Sequence, residues 1–228
     1  MSELLLAMDT STSAVTVALV SGAEVVAEQT VVDARRHTEI LMPLVRDLFD
    51  GVGVTRANVT ALAVGVGPGP FTGLRVGITT AATLSYVLGV PAHGVCSLDA
   101  IAHQAATSDV EEFVVATDAR RKEVYWARYV RGERESEPQV HKPAGLPDEV
   151  RALPAAGRGA RLYPEVFASA MEPADVSAAH LGLLVASRLR DGGELLPLQP
   201  LYLRQPDAVP SAGQKSALTS LAGQRRRP

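Results

Sequence analysis

A single cysteine, Cys96, stands in a chain of 228 residues. That excludes an internal disulfide and fits a reducing cytoplasm; inside an apolar run, the thiol reads as a small core residue before it reads as a nucleophile. Aromatic residues are also scarce, 4% against 46% hydrophobic residues, so the core must be built from Ala, Val and Leu. Neither sign of charge dominates: the net charge of −3 gives no whole-molecule attraction to nucleic acid or to an anionic membrane. If RNA is involved, a partner is expected to supply most of the basic surface. No run of transmembrane length escapes interruption, and Met1-Ser-Glu3 lacks the basic start of a signal peptide. A cytoplasmic location is expected, with no membrane contact.

The usual marks of catalysis are missing as well. His37, His93, His103, His141 and His180 form no i, i+3 or i, i+4 pair, and no H-E-x-x-H is present, so no zinc-helix motif exists. There is no G-x-S-x-G elbow and no conspicuous pair of acids. The pattern argues against an independent enzyme.

What is present centres on Ala61-Leu-Ala-Val-Gly-Val-Gly67-Pro-Gly69-Pro-Phe-Thr72-Gly73-Leu-Arg75-Val-Gly77. Leu62, Val64 and Val66 alternate as a buried strand, and Gly67 to Pro70 force a turn. The apolar pattern resumes at helical spacing from Thr72, the expected N-cap, to a stop at Gly89-Val-Pro91. Between Arg56 and Asp99 the only charged side chain is Arg75, so the segment must be covered on nearly every side. A strand, a glycine turn and a helix N-terminus also make a generic anion cradle. Here it lacks the P-loop lysine and the third glycine of G-x-G-x-x-G, so a tight packing turn is the first reading and a phosphate site the second. On the helix, Leu74, Ile78, Ala81, Ser85 and Leu88 share a face, and Gly77, Ala81 and Ser85 form a small-residue groove. An uncharged helix face marks an interaction site. Burial beneath the neighbouring helix is the alternative, and the two can hold together.

The rest of the chain reads as strands over 4–8, 14–20 and 24–32 in an antiparallel meander, then a helix over 38–49. Pro43 is awkward inside that helix, and Gly51 and Gly53 end it. A strand over 92–95 and a short helix capped near Ser97 and running to 106 complete a β-β-β-α-β-α-β-α order. Strands over 113–117 and 124–130, a solvated polar loop over 131–137, a helix over 176–190 and a short strand over 201–203 follow. The last segment, 205–228, ends in Arg225-Arg226-Arg227 and has too little apolar content to fold.

Several stretches together resemble one family: Leu4-Leu-Leu-Ala-Met-Asp-Thr-Ser-Thr12, Arg36-His-Thr-Glu39, Gly65-Val-Gly-Pro-Gly-Pro-Phe-Thr-Gly-Leu-Arg75, Gly94-Val-Cys-Ser-Leu-Asp99, Thr117-Asp-Ala-Arg-Arg-Lys-Glu-Val-Tyr125 and Tyr202-Leu-Arg204. In family order over most of the chain, they are similar to TsaB (YeaZ) of the bacterial threonylcarbamoyladenosine tRNA-modification system. Pro70 stands where that family usually has Ser, and Thr38 where it often has Ser. The resemblance implies an α/β, actin-like ATPase (ASKHA) fold of two lobes, each starting with a β-meander and the second reduced. The lobes would span 1–108 and 109–204, ahead of a disordered basic tail at 205–228.

It also implies a non-catalytic subunit that pairs with a TsaD-type paralogue through two helices of the first lobe, joined by the ATPase TsaE. The complex would transfer threonylcarbamoyl to the adenosine next to the anticodon. The implied interface comprises His37, Glu39, Ile40, Leu41, Leu44, Leu74, Arg75, Ile78, Ala81, Ala82 and Ser85. Asp9, Thr10, Ser11, Thr12, Gly67, Gly69, Asp118 and Arg120 would be degenerate nucleotide-loop positions, with side chains at Thr10–Thr12 and Ala119–Arg120 where active members carry glycines. No intrinsic cofactor is expected; ATP or ADP and metal would sit on partner subunits, and tRNA would be reached through the complex. Two copies are expected to pair through the same helices when the partner is missing. The alternatives are an ATP-dependent small-molecule kinase of the same fold and a glycoprotease-type peptidase.

Overall fold

The computed structural model describes residues 3–204, so the basic tail lies outside the described residues. The chain opens with an antiparallel meander, β1 (Leu5–Asp9), β2 (Ala14–Ser21) and β3 (Glu24–Val32). Parallel strands β4 (Ala61–Gly65) and β5 (Ala92–Val95) extend it into a mixed sheet of order β3-β2-β1-β4-β5. β1 reads as an unbroken apolar run because both its faces are covered. Leu6 and Met8 meet helices α1 (His37–Val52) and α2 (Phe71–Leu88), while Leu5 and Ala7 face the other way.

That other face packs on α3 (Ser97–Ala105) and α6 (Ala178–Asp191), and beyond them lies a second mixed sheet. It comprises β6 (Glu112–Asp118), β7 (Val124–Val130), β8 (Glu133–Arg134), β9 (Gln139–His141), β10 (Pro154–Ala156) and β11 (Ser169–Met171). The strand order is β11-β10-β6-β7-β8, with β9 also on β7. Small helices α4 (Asp148–Arg151) and α5 (Arg158–Leu162) cover its outer face over Val114, Trp126 and Ala155. Two meander-led sheets with helices on both sides and between them make the actin-like arrangement. α6 follows the second sheet in sequence but returns to the first. Ala178 N–H donates to Thr16 Oγ1 (3.1 Å), Ala179 N–H and the Ser177 hydroxyl donate to Glu28 Oε1 (3.1 and 2.7 Å), and Gly182 lets the helix lie on Ala7 and Val20.

The structure moves several expected boundaries. α2 begins at Phe71 with Pro70 as N-cap, not Thr72, because the extended Pro70 already offers its carbonyl to Leu74 N–H at 3.0 Å. α1 runs through Pro43 and Gly51 and ends at Gly53, whose φ of 73° closes the helix onto Phe49. Glu39 and Pro43 are both exposed, so the carbonyl that Pro43 leaves without its helical donor belongs to the solvent side of α1. Ser97 caps nothing; its hydroxyl turns back to Asp9. Residues 131–137 are not simply a solvated loop, since Glu133–Arg134 pair with β7. No strand forms over 201–203. Leu201 N–H donates to Val66 carbonyl at 2.8 Å, and the bridge to β5 is made by Leu196 on Gly94.

Candidate functional site

The turn after β1 is built into α2. Asp9 is fully buried: Oδ1 accepts from the Ser11 N–H (2.7 Å) and hydroxyl (2.8 Å), and Oδ2 from the Ser97 hydroxyl (2.7 Å). Burial pushes its carboxyl above the ordinary value of 3.8, while these hydrogen bonds pull the other way. Thr10 Oγ1 donates to the Gly73 carbonyl (2.7 Å) and accepts from Gly77 N–H (3.0 Å). Four glycines, each four residues from the next, leave room for this turn. A Cβ at Gly65 would lie 1.7 Å from Asp9 Oδ2, at Gly69 2.5 Å from the Ser11 carbonyl oxygen, at Gly73 2.4 Å from the Thr10 carbonyl oxygen, and at Gly77 2.6 Å from Thr10 Oγ1. The glycines therefore seat the chain's own hairpin, and Ser11 fills the space beside Gly69 that an anion cradle would need open. The small-residue groove expected at Gly77, Ala81 and Ser85 is likewise occupied, by Thr10 at one end and by the Ser85 hydroxyl bonding Val90 carbonyl (2.6 Å) at the other.

Across from this turn stands the β6–β7 hairpin. Asp118 Oδ1 accepts from Arg120 N–H (2.7 Å), and its other oxygen meets the Arg120 guanidinium (3.1 Å). The structure thus brings Ser11, Thr12, Asp118 and Arg120 to one cleft. The cleft is nearly closed, with about 10 Å³ of free volume between these groups and the Arg158–Asp175 ion pair. That is room for about one water.

The expected partner face divides. Leu41, Leu44, Leu74, Ile78 and Ala81 are buried in the chain's own core against β1, β2 and β4 and are not part of its exposed surface. Glu39, Arg75 and Ala82 are exposed, and His37, Ile40 and Ser85 are half-buried. His37 Nε2 bonds the Thr12 carbonyl at 3.0 Å and fixes the start of α1 to the first turn. The outward stripe that the sequence reading missed is Thr79, Thr83, Tyr86 and Val87 on α2. Tyr86 is 89% exposed and Val87 66%. Its signal was the absence of charge on this helix, which marks both faces alike and leaves the phase open.

A second cluster gathers where α2 starts. Phe71 and Tyr202 stack at 5.4 Å between ring centres, the Arg75 guanidinium lies 3.9 Å over Phe71, and Arg75 Nε donates to the Tyr202 hydroxyl at 3.1 Å. Beside them Arg120, Arg121 and Lys122 follow one another at φ of 60°, 53° and 62°. A left-handed conformation in a residue with a side chain costs of order 1 kcal/mol or more each. Gly69, Phe71, Arg120, Arg121, Tyr125 and Tyr202 are among the walls of a hollow of about 440 Å³, beside which Arg204 pairs with Glu123.

Elsewhere, buried Asp99 accepts from the Tyr129 hydroxyl (2.9 Å) and Arg188 (3.1 Å), and Arg134 stands 3.6 Å away. Between α3 and α6, the Nδ1 atoms of His103 and His180 lie at hydrogen-bond distance, 3.1 Å. Cys96 is buried, which pushes its thiol up to about 12. Among the described residues no three His, Cys, Asp or Glu side chains gather to hold a metal ion, and no helix is long and apolar enough to cross a membrane.

The family model for "TsaD: tRNA N6-adenosine threonylcarbamoyltransferase" matches residues 23–188. An uncharacterised protein of Mycobacterium tuberculosis (strain ATCC 25618 / H37Rv) is 45% identical over 210 residues, 91% of this chain and 94% of that protein. The Escherichia coli (strain K12) tRNA threonylcarbamoyladenosine biosynthesis protein TsaB is 34% identical over 203 residues, 85% of this chain and 81% of its own length. The solved structure of YeaZ from Pseudomonas aeruginosa matches with a TM-score of 0.75 and 32% identity, covering 88% of this chain and 100% of that one.

Proposed function

The chain belongs to the TsaB (YeaZ) family, and from that premise we propose that it serves tRNA threonylcarbamoyladenosine biosynthesis as a non-catalytic subunit that binds and supports a TsaD-type paralogue. The observation that carries this reading is the outward face of α2. Thr79, Ala82, Thr83, Tyr86 and Val87 are exposed there, and Arg75 is the only charged residue of the helix. An exposed aromatic on a face depleted of charge has the composition of an interface core. The filled cleft between the two turns supports the non-catalytic role over the kinase alternative. In this reading a TsaE-type ATPase joins the pair in the cytoplasm, and ATP or ADP and metal reside on the partners. tRNA is reached through the complex, and two copies pair through the same face when the partner is missing.

Ala82→Arg and Tyr86→Glu alter exposed positions, so both variants are expected to keep the wild-type melting temperature. Each should lose at least about tenfold in affinity for a TsaD-type protein, measured by calorimetry. Wild-type affinity in both variants would remove this interface.

A further inference from the structure

We propose a second ligand site on this chain: the hollow at the start of α2 takes an unpaired stretch of RNA, one nucleobase stacking on Phe71 and the flanking phosphates meeting Arg120 and Lys122. The choice of RNA rests on the tRNA role proposed above; the site itself rests on three features of the hollow.

The first is a prepared aromatic plane. The 3.1 Å bond between Arg75 and Tyr202 holds both on one face of Phe71, and Phe71 is still 51% exposed. An aromatic ring buttressed from behind and open in front is the platform on which unpaired bases stack. The second is charge. Arg120, Arg121 and Arg204 line the hollow, Arg75 lies over Phe71 and Lys122 follows Arg121 in the same turn, while Asp118 pairs with Arg120 and Glu123 with Arg204, in a molecule whose net charge is −3. The third is shape, since about 440 Å³ matches a small-molecule-sized occupant, unlike the closed cleft beside it. Arg120, Arg121 and Lys122 each take a left-handed φ in the turn at the hollow's edge, and such strain concentrates at binding sites. A protein partner is better served by the uncharged stripe around Tyr86, which lies further along the same helix.

The test is fluorescence anisotropy of the full-length protein with a labelled single-stranded RNA of about twelve nucleotides, its duplex form and unlabelled ATP. The single strand should bind, and Phe71→Ala and Lys122→Glu, on different elements, should each weaken it about tenfold or more, while Phe71→Trp retains it. Affinity should fall with log salt at a slope of about −2, as for roughly three phosphates. Equal binding by Phe71→Ala and Lys122→Glu would overturn the proposal and move the contact elsewhere, as would a preference for duplex. Displacement by micromolar ATP would make the hollow a mononucleotide site instead, and competition by a TsaD-type protein would make it a protein contact. Ala82→Arg and Tyr86→Glu should bind the RNA as wild type does. Loss of RNA binding in Phe71→Ala with partner affinity intact supports the site independently of the interface. No RNA binding by the wild type, with partner affinity intact, defeats the site and leaves the interface standing.

Discussion

Two glycines in this chain carry opposite expectations. Gly65 has the Asp9 carboxylate where its Cβ would be, 1.7 Å away, and Asp9 cannot move because Ser11 and Ser97 hold it. Gly51 lies inside α1 with nothing within 4 Å of its missing Cβ. Gly65→Ala should therefore cost about 3 kcal/mol or more, in the range of overpacked cores. Gly51→Ala should gain about 0.5–1 kcal/mol from helix propensity. Urea denaturation of the pair measures both signs. Cys96, with its thiol pushed up to about 12, should resist thiol reagents at pH 8 until the chain unfolds. pH acts through the histidines. Burial lowers His93, His103 and His180 below their ordinary 6.5, so the unfolded chain takes up protons before the folded one does. Stability should fall as pH drops through 6.5 towards the lowered values, and His103→Gln should flatten that slope in thermal melts. Asp9 works the other way: its raised value means that protonation on acidification favours the folded state down to 3.8.

At the scale of elements, the phase of α2 decides which substitutions report on binding and which on folding. Ile78 and Ala81 face β4 and the core, so Ile78→Ala should cost about 2–4 kcal/mol and Ala81→Arg should prevent folding altogether. The meander, the alternating helices and the glycine turn were legible because each has a strong period or breaker: β3 over Glu24–Val32 and β5 over Ala92–Val95 stand where the pattern puts them. The orientation of α2 was not legible, because a helix with one charge in eighteen residues shows no polar face to set against its core face. Residues 132–174 were opaque for a different reason. β10 and β11 are three residues each and α4 is four, too short for any period to declare itself. The cluster at Phe71 escaped because its parts lie 127 residues apart, and only the fold brings Tyr202 to Arg75.

For the whole molecule, the return of α6 to the first sheet sets an order of events during synthesis. Leu5, Ala7, Ala18 and Val20 are complete as strands early, yet their cover is residues 178–191. At cellular elongation rates that cover arrives roughly ten seconds or more later. Until then a nascent chain displays an apolar sheet face without α6 on it, the kind of surface that chaperones hold. A chain stopped at Ser177 should therefore be recovered as aggregate or bound to a holdase, and supplying 178–191 as a separate peptide should rescue its solubility. Closure by α6 is thus the step that releases the first strands from the machinery that made them.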